Sequence, residues 1–203
     1  PVSWREAVAV GRQACDALSA AHRAGVMHGG LKPSDLRFDD DGLTHVADLG
    51  LSRYLGARDV ADSAASRLAH TPPEVLEGRR NDARSDVYSL ASSLFLALSG
   101  RAPFDSVDDG GTRGLIDRIL GARLVPLTRF GVPYPIDEAI RRALSRDPEQ
   151  RPSTAEEFAR ALRAAGHEAT RPPAVRRPVG PTPGSAAGRA VSALTGPVSA
   201  LHD

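Results

Sequence analysis

His28-Gly29-Gly30-Leu31-Lys32-Pro33-Ser34-Asp35, followed by Ala47-Asp48-Leu49-Gly50, is the stretch whose reading decides the fold. It joins two successive glycines to a Leu-Lys-Pro tripeptide, and an Asp-Leu-Gly follows. Lys32 is the only lysine among 26 basic side chains; every other one is arginine. In a chain so biased towards arginine, a lone lysine at this place is no accident of composition. Position 30 and Asp48 stand eighteen residues apart.

Upstream, Ser3-Trp4-Arg5-Glu6 has the spacing of a capping box. Trp4, Ala7, Ala14, Leu18 and Ala21 then recur at helical intervals, and Gly25 supplies the left-handed residue that ends such a helix. Val26-Met27-His28 reads as a short buried strand entering the loop. Leu36-Arg37-Phe38 and Leu43-Thr44-His45-Val46 read as two further strands. Asp39-Asp40-Asp41-Gly42 joins them, as a β-turn rather than a calcium site. Residues 51 to 71 have loop composition. Asp86-Val87-Tyr88-Ser89-Leu90 opens a helix that is apolar nearly all round to Leu98, hence central and buried, and Gly100 stops it. Ile136, Ile140 and Leu144 mark an amphipathic helix. Ser153-Thr154-Ala155-Glu156 offers a second capping box for a last helix, with Phe158 and Leu162 on its buried side and Gly166 at its end. From His167 to Asp203 the chain has six prolines and no aromatic residue, so it reads as a disordered linker or tail. The expected organisation is thus a folded unit over 1–166 and a Pro-rich tail over 167–203.

Composition narrows the function. The 203 residues suffice for one core plus a tail, and the formal charge of +1 argues against nucleic acid as the main partner. One cysteine, Cys15, precludes an internal disulfide and fits a reducing, cytoplasmic setting; its place in a helical pattern marks an inert thiol. The histidines lack metal-ligand spacing. The apolar run from Leu90 to Leu98 is too short to span a membrane. No signal peptide is evident, and an opening at Pro1 suggests a fragment of a longer protein.

The opening stretch resembles the catalytic loop of the eukaryotic-like (Hanks-type) Ser/Thr protein kinases of bacteria, His-Arg-Asp-Leu-Lys-Pro-x-Asn followed by Asp-Phe-Gly. The resemblance runs over residues 3 to 166. Pro72-Pro73-Glu74 is similar to the Ala-Pro-Glu motif, and Asp86-Val87-Tyr88-Ser89-Leu90 to Asp-Val-Tyr-Ser-Leu, with Ala91 for the following Gly. Asp147-Pro148-Glu149-Gln150-Arg151-Pro152 is similar to Asp-Pro-x-x-Arg-Pro. The fold implied is mainly α with a small β-ribbon, the C-terminal lobe of a kinase. By the same resemblance Glu74 pairs with Arg151, Asp86 accepts hydrogen bonds from the catalytic-loop backbone, and His28 belongs to that scaffold.

The chemistry is degenerate on this alignment. Gly30 stands at the catalytic Asp and Gly29 at the arginine that binds a phosphorylated activation loop. Arg67 stands at the threonine that bonds the catalytic Asp, and Arg37 at an apolar position beneath the adenine ring. Lys32, Asp35 and Asp48 survive as candidate nucleotide contacts, with Asp48 and Asp35 as candidate Mg ligands. The alternative is that all three are inherited scaffold, Lys32 pairing locally with Asp35. The Gly-rich loop, strand lysine and partner glutamate of the family belong to an N-terminal lobe, so the implied Mg-ATP site is weak or absent. Three functions follow as expectations. One is a pseudokinase that regulates or scaffolds another protein. A second is an active or weakly active kinase in which Asp35 or a rearranged loop supplies the carboxylate. The third is a structural domain presenting Arg171-Pro172-Pro173 and Arg176-Arg177-Pro178 for docking. A membrane tether elsewhere in the parent protein is compatible with all three.

Overall fold

The computed structural model describes residues 1–50, 67–105 and 110–171. Of the expected loop over 51–71, residues 51–66 lie outside the described residues, as does the expected Pro-rich tail over 167–203 from residue 172 onward; residues 167–170 instead continue the last helix.

Ser3 caps α1 (Trp4–Arg23) as its spacing predicts: its hydroxyl accepts from the Glu6 N–H while the Glu6 carboxylate accepts from the Ser3 N–H. Ala7, Ala14 and Leu18 are buried as expected, and Gly11 and Cys15 join them on the same face. A Cβ on Gly11 would stand 2.7 Å from Leu94 Cδ1 and 2.9 Å from Leu162 Cδ1, so its missing side chain lets three helices meet. Gly25, at φ +74°, turns the chain out of the helix. Val26-Met27-His28 forms no strand, contrary to the expectation. Among the described residues the segment has no neighbouring strand to complete a ladder, and the side chain of Asp86 takes the His28 N–H instead.

β1 (Leu36–Phe38) and β2 (Thr44–Val46) make an antiparallel ribbon in the register Leu36↔Val46, Arg37↔His45, Phe38↔Thr44. The joining acidic segment is a turn: the Gly42 N–H reaches Asp39 O at 3.0 Å, and Asp39 Oδ1 accepts from the backbone of Asp41 and Leu43. With that carboxylate spent on its own turn, the segment is no calcium cradle.

α2 (Pro73–Leu76) is one turn long, and α3 (Ala83–Ser99) is the centre of the domain. It starts three residues before Asp86, because Asp82 Oδ1 accepts from the Ser85 N–H and caps it there. Every residue from Ser85 to Phe95 is buried, as an all-round apolar helix requires. Its serines are satisfied locally: Ser93 Oγ donates to Ser89 O, and Ser89 Oγ to His70 O. Gly100 stops the helix at φ +80°.

α4 (Gly111–Gly121) has no counterpart in the sequence reading, because its weak amphipathic stripe buries only Ile119. α5 (Tyr134–Ala143) buries Ile136 and Ile140 as expected. In α6 (Ala155–Thr170) the cap is Thr154 rather than Ser153, and Glu157 rather than Glu156 reaches back to accept from Ser153. Gly166 does not end this helix. It lies inside, facing α1 with Val8 Cγ1 at 3.5 Å from where its Cβ would be, and the helix continues to Thr170. Packing there outweighs the ~1 kcal/mol that glycine costs in a helix interior.

The described chain is therefore mainly helical with one two-stranded antiparallel ribbon. No helix among the described residues is long and apolar enough to cross a membrane. An apolar groove of about 440 Å³, lined by Val10, Leu36, Phe38, Leu94 and Leu96 among others, runs between α1, α3 and the ribbon. Cys15 is fully buried; burial first, then the neighbouring Asp16 charge, push its thiol above the usual range, which makes it inert.

Candidate functional site

The loop from His28 to Asp35 hangs on one carboxylate. Asp86, in the first turn of α3, is buried. Its Oδ2 accepts from the His28 N–H at 2.8 Å and its Oδ1 from the Gly29 N–H at 2.9 Å. A third donor is His22 in the last turn of α1, whose Nε2 lies 2.8 Å from Asp86 Oδ2. A carboxylate only accepts, so that nitrogen carries the proton. His22 was not singled out in the sequence. Its only signal is a histidine in a last helical turn, which reads equally well as a dipole complement. Asn81 adds a long contact from Nδ2 to Gly29 O at 3.5 Å.

Gly29 sits at φ +75°, where an L-residue is strained. Gly30 does not share that constraint. Its φ is ordinary, and among the described residues the nearest side-chain atom to a Cβ built there is Arg67 Cδ, at 4.0 Å. The backbone of Arg67 is fixed, its carbonyl accepting from the His70 N–H and the Thr71 hydroxyl. Among the described residues a Cβ at position 30 therefore meets no close contact, and the Arg67 stem lies beside it.

The surviving polar residues are placed differently from one another. Asp35, in the 3-10 turn Pro33–Asp35, is buried, with Oδ2 3.0 Å from the Lys32 backbone N and 3.7 Å from His28 Nε2. The contact between Lys32 and Asp35 therefore runs through the lysine backbone, and the Lys32 ammonium makes no ion pair among the described residues. Asp48 is exposed and takes φ +59°, a left-handed conformation that costs a non-glycine residue about 1 kcal/mol or more. Arg37 is exposed on β1 opposite His45. Among the described residues no three His, Cys, Asp or Glu side chains gather into a metal site. A magnesium ion bound through nucleotide phosphates needs only one or two carboxylates. Asp48 and the second oxygen of Asp35 are the residues that would hold one, and neither stands at position 30.

Apart from the loop, Glu74 and Arg151 make a bidentate pair at 2.8 and 2.7 Å, both buried. Ser85 Oγ donates to Glu74 Oε1, and the Arg151 guanidinium lies over the Tyr88 ring at 4.7 Å. Burial pushes the Glu74 carboxyl up, but the hydrogen bonds and charge of Arg151 outweigh it and hold the group below its ordinary value. The pair ties the segment ahead of α3 to the segment ahead of α6.

Between loop and brace lies His70, buried, with Nδ1 2.7 Å from Ser92 Oγ. Burial lowers its pKa to about 4, so it is neutral at pH 7. The unfolded chain binds this proton near the ordinary 6.5. Stability from this group is therefore full above about pH 6.5 and is lost as pH falls towards 4. The difference amounts to about 3 kcal/mol. Denaturation midpoints at pH 7 and pH 4.5 are expected to differ less in His70→Asn than in the wild type; equal differences would show that His70 contributes nothing to the acid sensitivity.

Comparison with known proteins places this geometry. The protein kinase domain model matches residues 1–162. Serine/threonine-protein kinase PknK of Mycobacterium tuberculosis is 37% identical over 164 residues, 80% of this chain and 15% of that protein. PknJ of Mycobacterium tuberculosis is 33% identical over 170 residues, 78% of this chain and 28% of its own length. PknB of Mycolicibacterium smegmatis is 31% identical over 163 residues, 78% of this chain and 26% of its own. The chain thus spans less than a third of the length of each of these relatives.

Proposed function

We propose that this chain, which belongs to the bacterial Hanks-type Ser/Thr protein kinase family, acts as a pseudokinase, a kinase-fold module that regulates or scaffolds another protein without transferring phosphate. Members of the family use Mg-ATP in general. The observation that carries the reading is position 30: a glycine where the family has its catalytic Asp, with the Arg67 stem 4.0 Å from where its Cβ would stand. A general acid–base group is worth about 10²–10⁴-fold in rate. Neither remaining carboxylate replaces it, since Asp35 is buried with one oxygen bonded to the Lys32 N–H, and Asp48 belongs to the loop after β2. Lys32, Asp35 and Asp48 serve as inherited scaffold, while Asp86, His28 and the Glu74–Arg151 pair keep the loop and the helical unit in shape. The stretch from residue 172 onward serves as a linker. The setting of the folded unit is cytoplasmic, and its partner is a protein.

The test is transfer of radiolabelled phosphate from Mg-ATP to a generic basic acceptor by the parent protein, with Asp48→Ala as control. The expected result is incorporation no higher than the control. Asp48-dependent transfer would establish an active kinase with an unusual base. Gly30→Asp is expected to leave stability within about 0.5 kcal/mol of wild type, because the backbone there is not left-handed and a Cβ meets no described atom closer than 4.0 Å.

A further inference from the structure

The C-terminal ends of α4 and α5 and the segments that follow them enclose a second cavity, of about 410 Å³. Phe104, Ala122, Leu124 and Leu144 form its apolar floor, and Arg123, Arg141 and Arg146 its rim. No carboxylate lines it among the described residues. Arg146 is held in place by the fold: Nε donates to Ile119 O at 3.2 Å, Nη2 donates to Ala122 O, and its own carbonyl accepts from Arg151 Nη2 at 3.1 Å. That arrangement neutralises the carbonyl end of α4 and leaves a positive side facing the cavity. Arg123 and Arg141 are exposed, and neither side chain has a hydrogen-bond or ion-pair partner among the described residues.

We propose that this cavity is a docking site for an acidic peptide segment of a partner protein, one leucine or phenylalanine filling the floor and flanking Asp or Glu side chains meeting the three arginines. Charge complementarity selects the acidic partner. Three like charges around one cavity repel one another, and carboxylates relieve that repulsion. An apolar anchor excludes water from the ion pairs and strengthens them. The chain's own tail does not suit, since residues 172–203 carry three arginines against one aspartate. A free phosphate would leave the floor uncovered. A cavity of this size admits one or two side chains, which a flat lipid surface does not supply. The site is remote in sequence from the catalytic-type loop, so the inference holds whether or not the protein transfers phosphate.

The experiment uses the full chain and a fluorescein-labelled peptide with one leucine between paired glutamates, read by anisotropy. Saturable binding that weakens with added salt is expected. Arg123→Glu together with Arg141→Glu is expected to weaken it at least about tenfold, with an unchanged circular dichroism spectrum. A peptide with serine for leucine is expected to bind several-fold more weakly. No binding by the wild-type chain, or equal binding by the double variant, would overturn the proposal. So would inorganic phosphate or phosphatidylserine vesicles binding as tightly and with the same dependence on Arg123 and Arg141.

Discussion

Glu74→Ala is expected to cost the domain about 3–5 kcal/mol. The substitution removes one partner of a buried ion pair and leaves the Arg151 guanidinium enclosed with no counter-charge. That guanidinium still has its bonds to Ser145 O, Arg146 O and Arg84 O, so it cannot swing out to water without breaking the turn before α6. The Ser85 hydroxyl also loses its acceptor on Glu74. The double replacement Glu74→Met/Arg151→Met is expected to cost less than the sum of the two single changes, because no charge is then stranded. Urea denaturation of the full chain and its three variants closes the cycle. A single-variant loss below about 1 kcal/mol would mean that the pair is solvated and braces nothing. The sign with pH follows from the lowered Glu74 carboxyl: its contribution is full above the ordinary carboxylate range and disappears as pH falls through the folded value.

Asp86→Ala is expected to loosen the loop from His28 to Asp35 and to destabilise the domain by about 3 kcal/mol or more. Three donors lose their acceptor at once: the backbone N–H groups of His28 and Gly29 and Nε2 of His22. Hydrogen bonds to an ionised acceptor contribute about 1.5–3 kcal/mol each, and a buried donor left unpaired carries its full desolvation penalty. Asp86→Asn keeps the volume but turns one of two accepting oxygens into a donor. It is expected to fall between wild type and alanine. Amide hydrogen exchange gives a local readout that global stability does not: protection at His28 and Gly29 should fall sharply in Asp86→Ala. Unchanged protection there would show that the loop is held by something other than this carboxylate. Measured beside the transfer assay, the same variant separates a loop maintained for shape from one maintained for chemistry.

Much of the fold was legible because the signals are local. A capping box needs four residues, so Ser3 and Glu6 declared the start of α1. A helix apolar on every side can only be central, so α3 was placed at the core from its composition. The turn between β1 and β2 was written in one acidic tetrapeptide. Gly30 declared the absence of a carboxylate at its position directly, since a side chain that is absent from the sequence is absent from every conformation. Neighbouring features misled where local and tertiary preferences conflict. Gly166 has the poor helix propensity of a stop, yet contact with Val8 keeps it inside α6. Val26 to His28 has the apolar character of a strand, yet a strand exists only beside another, and none of the described residues supplies one there.

The sequence by itself determined α1 and its cap, the ribbon and its turn, the buried α3 and the two amphipathic helices after it, and that the loop from His28 to Asp35 has no carboxylate at position 30; it did not declare α4. The tertiary structure alone decided what surrounds that position and what holds the loop. It placed the Arg67 stem beside the empty site, brought His22 to Asp86 across 64 residues, and buried Asp35 while exposing Asp48. It also gathered Arg123, Arg141 and Arg146 around one apolar cavity. Helix caps and turns are short-range and depend on neighbours along the chain. The burial of a charge and the company of an arginine depend on which distant segments pack together, and packing is set by the whole core at once.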